Sequence, residues 1–347
     1  MEKHLLVFAI FLTQYSSLCL NYKKLPLLMP DVQPMQKETY LCVAYKMNKK
    51  EHENIVKFEP NATMHVAHHI LIYGCLEPGY VQRDTPRFVW NCGEMAGSKS
   101  EYVSAPTCAS GSQVIYAWAR DAPPLDLPDG VGFKVGKGSG INYLVLQVHY
   151  ADVTRFINGG TDNSGIIITL LPGTDPSVTK RAGVYLLGTS GFALPKSEER
   201  FETACKIDKP LILHPFAFRT HTHALGKVVS GYVIKGKDGS WKLIGKHDPL
   251  EPQMFYPVED KNLIIEEGDV LAARCTMYNF RDRVTSVGAT AEDEMCNFYM
   301  MYYVNGNDIL DEKYCFSMGP PGYYWKNDLL IDKIPEWVEK DASSLRK

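Results

Sequence analysis

Past its first twenty residues the chain lacks any run approaching the ~18 to 20 uninterrupted apolar residues that a transmembrane helix needs. It also lacks CxxC spacing among its cysteines, which argues against a zinc ribbon or a thioredoxin-like redox pair. Long stretches of helical periodicity are missing, which disfavours βαβ architecture. Net charge is small: 37 basic against 40 acidic residues, a formal charge of -3 and no basic cluster, so neither nucleic acid nor an anionic membrane is indicated as a partner. The stretch "GFKVGKGSG", residues 132 to 140, lacks the GxxxxGK(S/T) pattern of a phosphate loop and runs into a strand, so it reads as a hairpin turn. No internal repeat of fixed period is visible.

What is present begins with Lys3, an apolar run from Leu5 to Leu12, and small and polar residues around Ser16 to Cys19, the layout of a secretory signal peptide. We expect residues 1–20 to be a cleaved leader and the product to be soluble, without a membrane anchor, in a secretory granule lumen or outside the cell. Of the nine cysteines, Cys19 leaves with the leader. The other eight, an even number in an oxidising compartment, favour four disulfides. Four precede residue 109 and four follow residue 204, so two bridges in each half is the economical expectation. The triplet Asn61-Ala62-Thr63 is a glycosylation sequon, in keeping with export.

With 347 residues, 45% hydrophobic, the chain exceeds one ordinary core and fits two domains of roughly 150 residues each. Most of it reads as short β-branched or aromatic runs between Gly, Pro, Asn and Asp, such as "HHILIYGC", "SQVIYAWAR", "NYLVLQVHY", "SGIIITLLPG" and "MCNFYMMYYV". The expected fold class is all-β, antiparallel sandwiches or barrels. The turn-rich segment "LLPGTDPSVTKRAG", residues 170 to 183, marks the boundary, giving domains at 21–174 and 175–347.

The ten histidines are unevenly placed. The stretch "FRTHTHALGKVVSGY", residues 218 to 232, reads as a strand running into a Gly-containing turn, and period-two alternation puts Arg219, His221 and His223 on one face. Two imidazoles so placed can share a metal; alternatively they are solvated or hydrogen-bonded. Ideal pleating sends the adjacent His68 and His69 to opposite faces, so they can share a metal only at a strand end or bulge, or by using different ring nitrogens. His149 sits in "LVLQVHY". In "DEMCNFYMMYY", Met295, Asn297 and Tyr299 fall on one face and Cys296 and Phe298 on the other. A lone Met is ordinarily core, and a lone His a satisfied, partly buried residue. If this strand faces the HxH strand, two nitrogens and one thioether suit copper cycling through Cu(I) better than Zn²⁺, Mg²⁺ or Ca²⁺, and leave a position open for dioxygen. His68, His69 and His149 would form an all-imidazole site, also suited to copper. Two copper sites imply a two-electron reaction. His52, His65 and His247 are read as non-ligands, and His214 as a residue behind the ligands.

The strings "HHILIYGC", "LVLQVHY", "HTHALGKVVSGY", "FYPVE", "GDVLAARC" and "DEMCNFYMMYY", in this order and spacing, resemble the copper type II, ascorbate-dependent monooxygenases of the peptidylglycine α-hydroxylating kind, from about Tyr40 to about Met318. The related dopamine β-monooxygenases lack the "LGKVVSGY" continuation. The resemblance implies the narrower form of the fold, two antiparallel β-sandwich (jelly-roll-like) domains across a solvent-filled cleft, with an electron-donating copper on His68, His69 and His149 and an oxygen-activating copper on His221, His223 and Met295. It implies ascorbate as reductant and O2 as co-substrate. It further implies that Arg219, Asn297 and Tyr299 anchor the carboxylate of a glycine-extended peptide whose α-carbon is hydroxylated. The bridges it implies are Cys42 with Cys92, Cys75 with Cys108, Cys205 with Cys315, and Cys275 with Cys296; a fifth bridge of vertebrate members has no cysteines here. A chain ending at Lys347 without a second catalytic domain resembles the single-function form, which depends on a separate peptidyl-α-hydroxyglycine lyase. Two other readings stay open: a copper monooxygenase acting on a catecholamine-type small molecule, and a secreted, non-catalytic copper-binding sandwich.

Overall fold

The computed structural model describes residues 22–80, 88–93, 101–288 and 292–345; the expected leader, residues 1–20, lies outside them. The fold is 48% strand and 5% helix, so its regular structure is almost all β. In the first half, a five-stranded antiparallel sheet runs in the order Trp90–Asn91, Thr39–Lys46, Tyr143–Tyr150, His69–Cys75, Gln113–Ala119. Facing it are Lys23–Leu28, Gly165–Pro172, His52–Asn61 and Val131–Gly136. Apolar side chains from both sheets, among them Ile70, Ile72, Leu146, Val148, Phe58 and Ile168, fill the space between and are fully buried. Burying a side chain of this size contributes about 1.5–3 kcal/mol.

In the second half, a four-stranded antiparallel sheet, Glu198–Lys206, Val270–Tyr278, Gly226–Ile234, Trp241–His247, packs on Lys180–Thr189, Asn297–Asn305 and His214–His221. Alternation along Asn297–Asn305 divides its side chains between two cores. Phe298, Met300, Tyr302 and Val304 enter the second-half core, whereas Tyr299 and Met301 join the first-half cluster. Gly231 lets the Phe298 ring in, because a Cβ there would stand 2.3 Å from the ring. A short parallel step, Val131 beside Lys180 and Gly132 beside Arg181, carries one sheet across from the first half to the second.

The reading of residues 132 to 140 as a hairpin turn is corrected: residues 132 to 136 are strand, and the turn that starts at Gly136, where φ is 83° and a Cβ would meet the Asn48 carbonyl at 2.5 Å, leads to Tyr143–Tyr150 in the other sheet, so the two strands do not pair. Asn61 ends the His52–Asn61 strand with its side chain exposed. The C-terminal helix Glu336–Asp341 covers the outer face of the second half. There the fully buried Arg274 is held between Glu202 and Glu339, with its guanidinium 4.4 Å from the Trp325 ring centre. Four disulfides, Cys42–Cys92, Cys75–Cys108, Cys205–Cys315 and Cys275–Cys296, close two loops in each half.

Candidate copper centres

The first cluster follows from pairing register. His69 opens the His69–Cys75 strand directly opposite His149, and opposed residues in an antiparallel pair share a face. His68 precedes the strand and escapes the pleat; its N–H donates to the His149 carbonyl at 2.9 Å. The strand end thereby brings neighbouring histidines together. Their Nδ1 atoms converge, His68 to His69 at 3.4 Å and His69 to His149 at 3.3 Å, and one ligand atom from each lies within 4.8 Å of the others. An ion bonded to three nitrogens at about 2.0 Å with wide angles separates them by about 3.5 Å, so the spacing fits a metal.

Burial foremost, and then the neighbouring His149, His68, Arg219 and His221, holds His69 well below the usual imidazole range. Burial, with His149 and Arg120 adding to it, lowers His68. Neutral imidazole is the form a metal requires. Behind this cluster, Glu38 Oε2 lies 2.8 Å from His149 Nε2, and the Tyr40 ring stacks on His149 at 4.1 Å with planes 4° apart. His149 in turn holds the Glu38 carboxyl below its ordinary range, mainly through this hydrogen bond.

The second cluster departs from the expected strand boundaries. Residues 218 to 232 run from the end of one strand through a turn into a second, as expected, but the first strand is shorter than the HxH pattern requires. The first, His214–His221, ends at His221, so His223 lies in the turn before Gly226–Ile234. Likewise Asn297 starts its strand and Met295 precedes it. What holds these two irregular positions is Glu294, a fully buried carboxylate that accepts the N–H of His223, of Leu225 at 2.7 Å and of Met295 at 2.8 Å. It fastens the HxH turn to the methionine. The two strands pair antiparallel, Arg219 opposite Tyr299 and His221 opposite Asn297, so all four side chains share a face. The His221 and His223 rings stand 5.5 Å apart, and Asn297 Nδ2 is 3.8 Å from Met295 Sδ.

Hydrogen bonds select the ring nitrogens. His223 Nδ1 faces the Asp293 carbonyl at 3.2 Å, an acceptor, so Nδ1 carries the proton and Nε2 the lone pair. His221 Nδ1 faces Gln253 Oε1 at 2.5 Å. The Gln253 amide nitrogen donates to the Thr222 and Pro249 carbonyls at 2.9 and 2.8 Å, which fixes its oxygen toward His221. Both imidazoles thus keep Nε2 available, and together with the Met295 thioether they would make a donor set suited to copper. Burial first, then Arg219, pushes His221 down to about 3, so it is neutral at working pH.

Arg219 is buried, donates from Nε to the Gln253 carbonyl at 2.8 Å, and lies 5.0 Å from the Tyr299 ring centre. Among the described residues no carboxylate pairs with it. His214 stands at the far end of its strand from His221, stacked on Tyr303 at 4.7 Å, and so lies behind neither cluster, contrary to expectation. His65 is exposed and outside the three-histidine group. Sequence reading missed Glu38, Tyr40, Gln253 and Glu294. Only Glu294 carried a signal, standing next to Met295.

Residues 25–156 match the family model described as copper type II ascorbate-dependent monooxygenase, N-terminal domain, and residues 180–328 match its C-terminal domain. Peptidyl-glycine alpha-amidating monooxygenase B of Xenopus laevis is 39% identical over 312 residues, covering 89% of this chain and 32% of that protein. The peptidylglycine alpha-amidating monooxygenase of Rattus norvegicus is 38% identical over 299 residues, covering 85% and 28%. Dopamine beta-hydroxylase of Homo sapiens is 30% identical over 296 residues, covering 79% and 45%. The chain spans about a third of the length of the amidating monooxygenases it matches.

Proposed function

We propose, since the chain belongs to the copper type II ascorbate-dependent monooxygenases, that it hydroxylates the α-carbon of a C-terminal glycine in peptides, using O2 and ascorbate, as the first step of C-terminal amidation. The carrying observation is Arg219: a buried guanidinium without a carboxylate partner among the described residues, on the same face as His221, Asn297 and Tyr299. A substrate carboxylate would complete it. Amidating relatives score higher in identity than the dopamine hydroxylase, which supports the peptide reading over the catecholamine one.

Two copper ions, when bound, supply the electrons and the activation of dioxygen. His68, His69 and His149 would hold one, and His221, His223 and Met295 the other. The remaining work falls to the chain. Arg219 would grip the carboxylate with two parallel hydrogen bonds, setting distance and angle together. Asn297 and Tyr299, from the paired strand, would flank it. Arg219 and His221 are two residues apart on one strand, so their Cα atoms lie about 6.8 Å apart, and the carbon next to a carboxylate gripped by Arg219 is carried toward the His221 end. Holding it there is the positioning contribution to rate.

We further assign the two centres to separate sandwiches, 21–174 and 175–347, and the protein to the secretory pathway, a granule lumen or the exterior. Four disulfides support the latter, and no helix among the described residues is long and apolar enough to cross a membrane. The product would pass to a peptidyl-α-hydroxyglycine lyase.

The test is copper analysis combined with ascorbate-driven hydroxylation of a short acyl-glycine peptide: two coppers per chain and peptide-dependent oxygen uptake are expected. Copper binding without turnover would leave a non-catalytic copper protein. Arg219→Gln should raise the Michaelis constant for glycine-extended peptides about 10- to 150-fold, the range for a hydrogen bond to a charged group, with copper content unchanged. An unchanged constant would move the assignment to a catecholamine-type substrate.

A further inference from the structure

Glu38 lies in the turn leading into the Thr39–Lys46 strand, where Tyr40 is paired opposite His149. Its backbone is left-handed, with φ 57°, a conformation uncommon for a glutamate. Its side chain is 45% exposed, yet its Oε2 reaches the Nε2 of His149, a side chain only 6% exposed, at 2.8 Å. An ionised carboxylate only accepts hydrogen bonds, so His149 Nε2 is the donor and, in the neutral ring that a metal requires, Nδ1 carries the lone pair. That Nδ1 is the atom aimed at His69. Meanwhile Tyr40, two residues on, lies flat against the same ring. One short segment therefore grips His149 at its edge and at its face. No such carboxylate stands behind His68 or His69 among the hydrogen bonds of the described residues.

We propose that Glu38 is a positioning residue for the three-histidine copper centre, an inference that rests on the copper reading above. By accepting from Nε2 it holds the tautomer and orientation that direct Nδ1 into the centre, and its negative charge makes that nitrogen a stronger donor. Removing the carboxylate should then weaken one copper site and leave the other alone.

The experiment measures copper affinity by chelator competition, and the unfolding midpoint of the metal-free protein, for wild type, Glu38→Asn, Glu38→Gln and His149→Ala. Asn tolerates the left-handed backbone but is too short to reach His149, so it separates the carboxylate from the turn. Glu38→Asn should weaken one of the two coppers about 10- to 100-fold, with the second copper and the metal-free midpoint unchanged. Glu38→Gln, which keeps an acceptor but no charge, should fall between it and wild type. Two coppers held by Glu38→Asn as tightly as by wild type would overturn the proposal, as would equal weakening of both. If His149→Ala binds as many coppers as wild type, the assignment of the centre itself fails, a distinct result.

Discussion

Replacing Met295 by Ile is expected to abolish peptide hydroxylation while leaving both sandwiches folded. The substitution conserves apolar volume, for which packing costs stay below about 1.5 kcal/mol. The position is pinned on both sides, by Glu294 before it and by the Cys275–Cys296 bridge after it. What disappears is the sulfur. Loss of a residue behind a metal ligand costs about 10- to 100-fold, and loss of a ligand should exceed that. Oxygen uptake with ascorbate and an acyl-glycine peptide should therefore drop more than about a hundredfold, with the unfolding midpoint of the metal-free protein nearly unmoved and copper on the three-histidine centre retained. Wild-type turnover in this variant would remove the thioether from the ligand set and with it the assignment of the second centre.

Glu294→Ala should damage stability and activity together. The carboxylate is fully buried and serves three N–H groups, those of His223, Leu225 and Met295. Truncation strands those donors, each at about 1–3 kcal/mol when left unsatisfied. The sum is at least about 3 kcal/mol, a large part of the 5–15 kcal/mol that typically separates folded from unfolded chains. At about 2–4 °C per kcal/mol, the unfolding midpoint should fall by about 6 °C or more. Glu294→Gln should lie between, because one amide oxygen still accepts while the NH2 meets a donor. Among molecules that remain folded, the second copper should bind more weakly, since His223 and Met295 lose their common anchor. A calorimetric midpoint within about 2 °C of wild type would contradict this account of how the two positions are held.

These two residues also mark where sequence reading stopped. The alternation in "NFYMMYYV" was legible, and the structure follows it, with Phe298 and Met300 in one core and Tyr299 and Met301 in the other. The requirement that His68 and His69 meet at a strand end was legible too, because it follows from the pleat alone. The same reasoning extended the HxH strand two residues too far and started the methionine strand two residues too early. The chain leaves the pleat at His223 and Met295 because Glu294 captures their N–H groups, across 71 residues in the first case.

What the sequence determined alone is the local part: many short strands, the face each side chain takes within them, and the residue types able to hold copper, since strand periodicity is a property of neighbouring peptides. What only the tertiary structure decided is which ring nitrogen is left free: Nδ1 for His149 in the three-histidine cluster, and Nε2 for His221 and His223. That choice depends on the acceptor behind the ring. For His149 that acceptor is Glu38, 111 residues away, and for His221 it is Gln253, 32 residues away. No periodicity in a chain encodes such a meeting; only folding brings donor and acceptor to bonding distance.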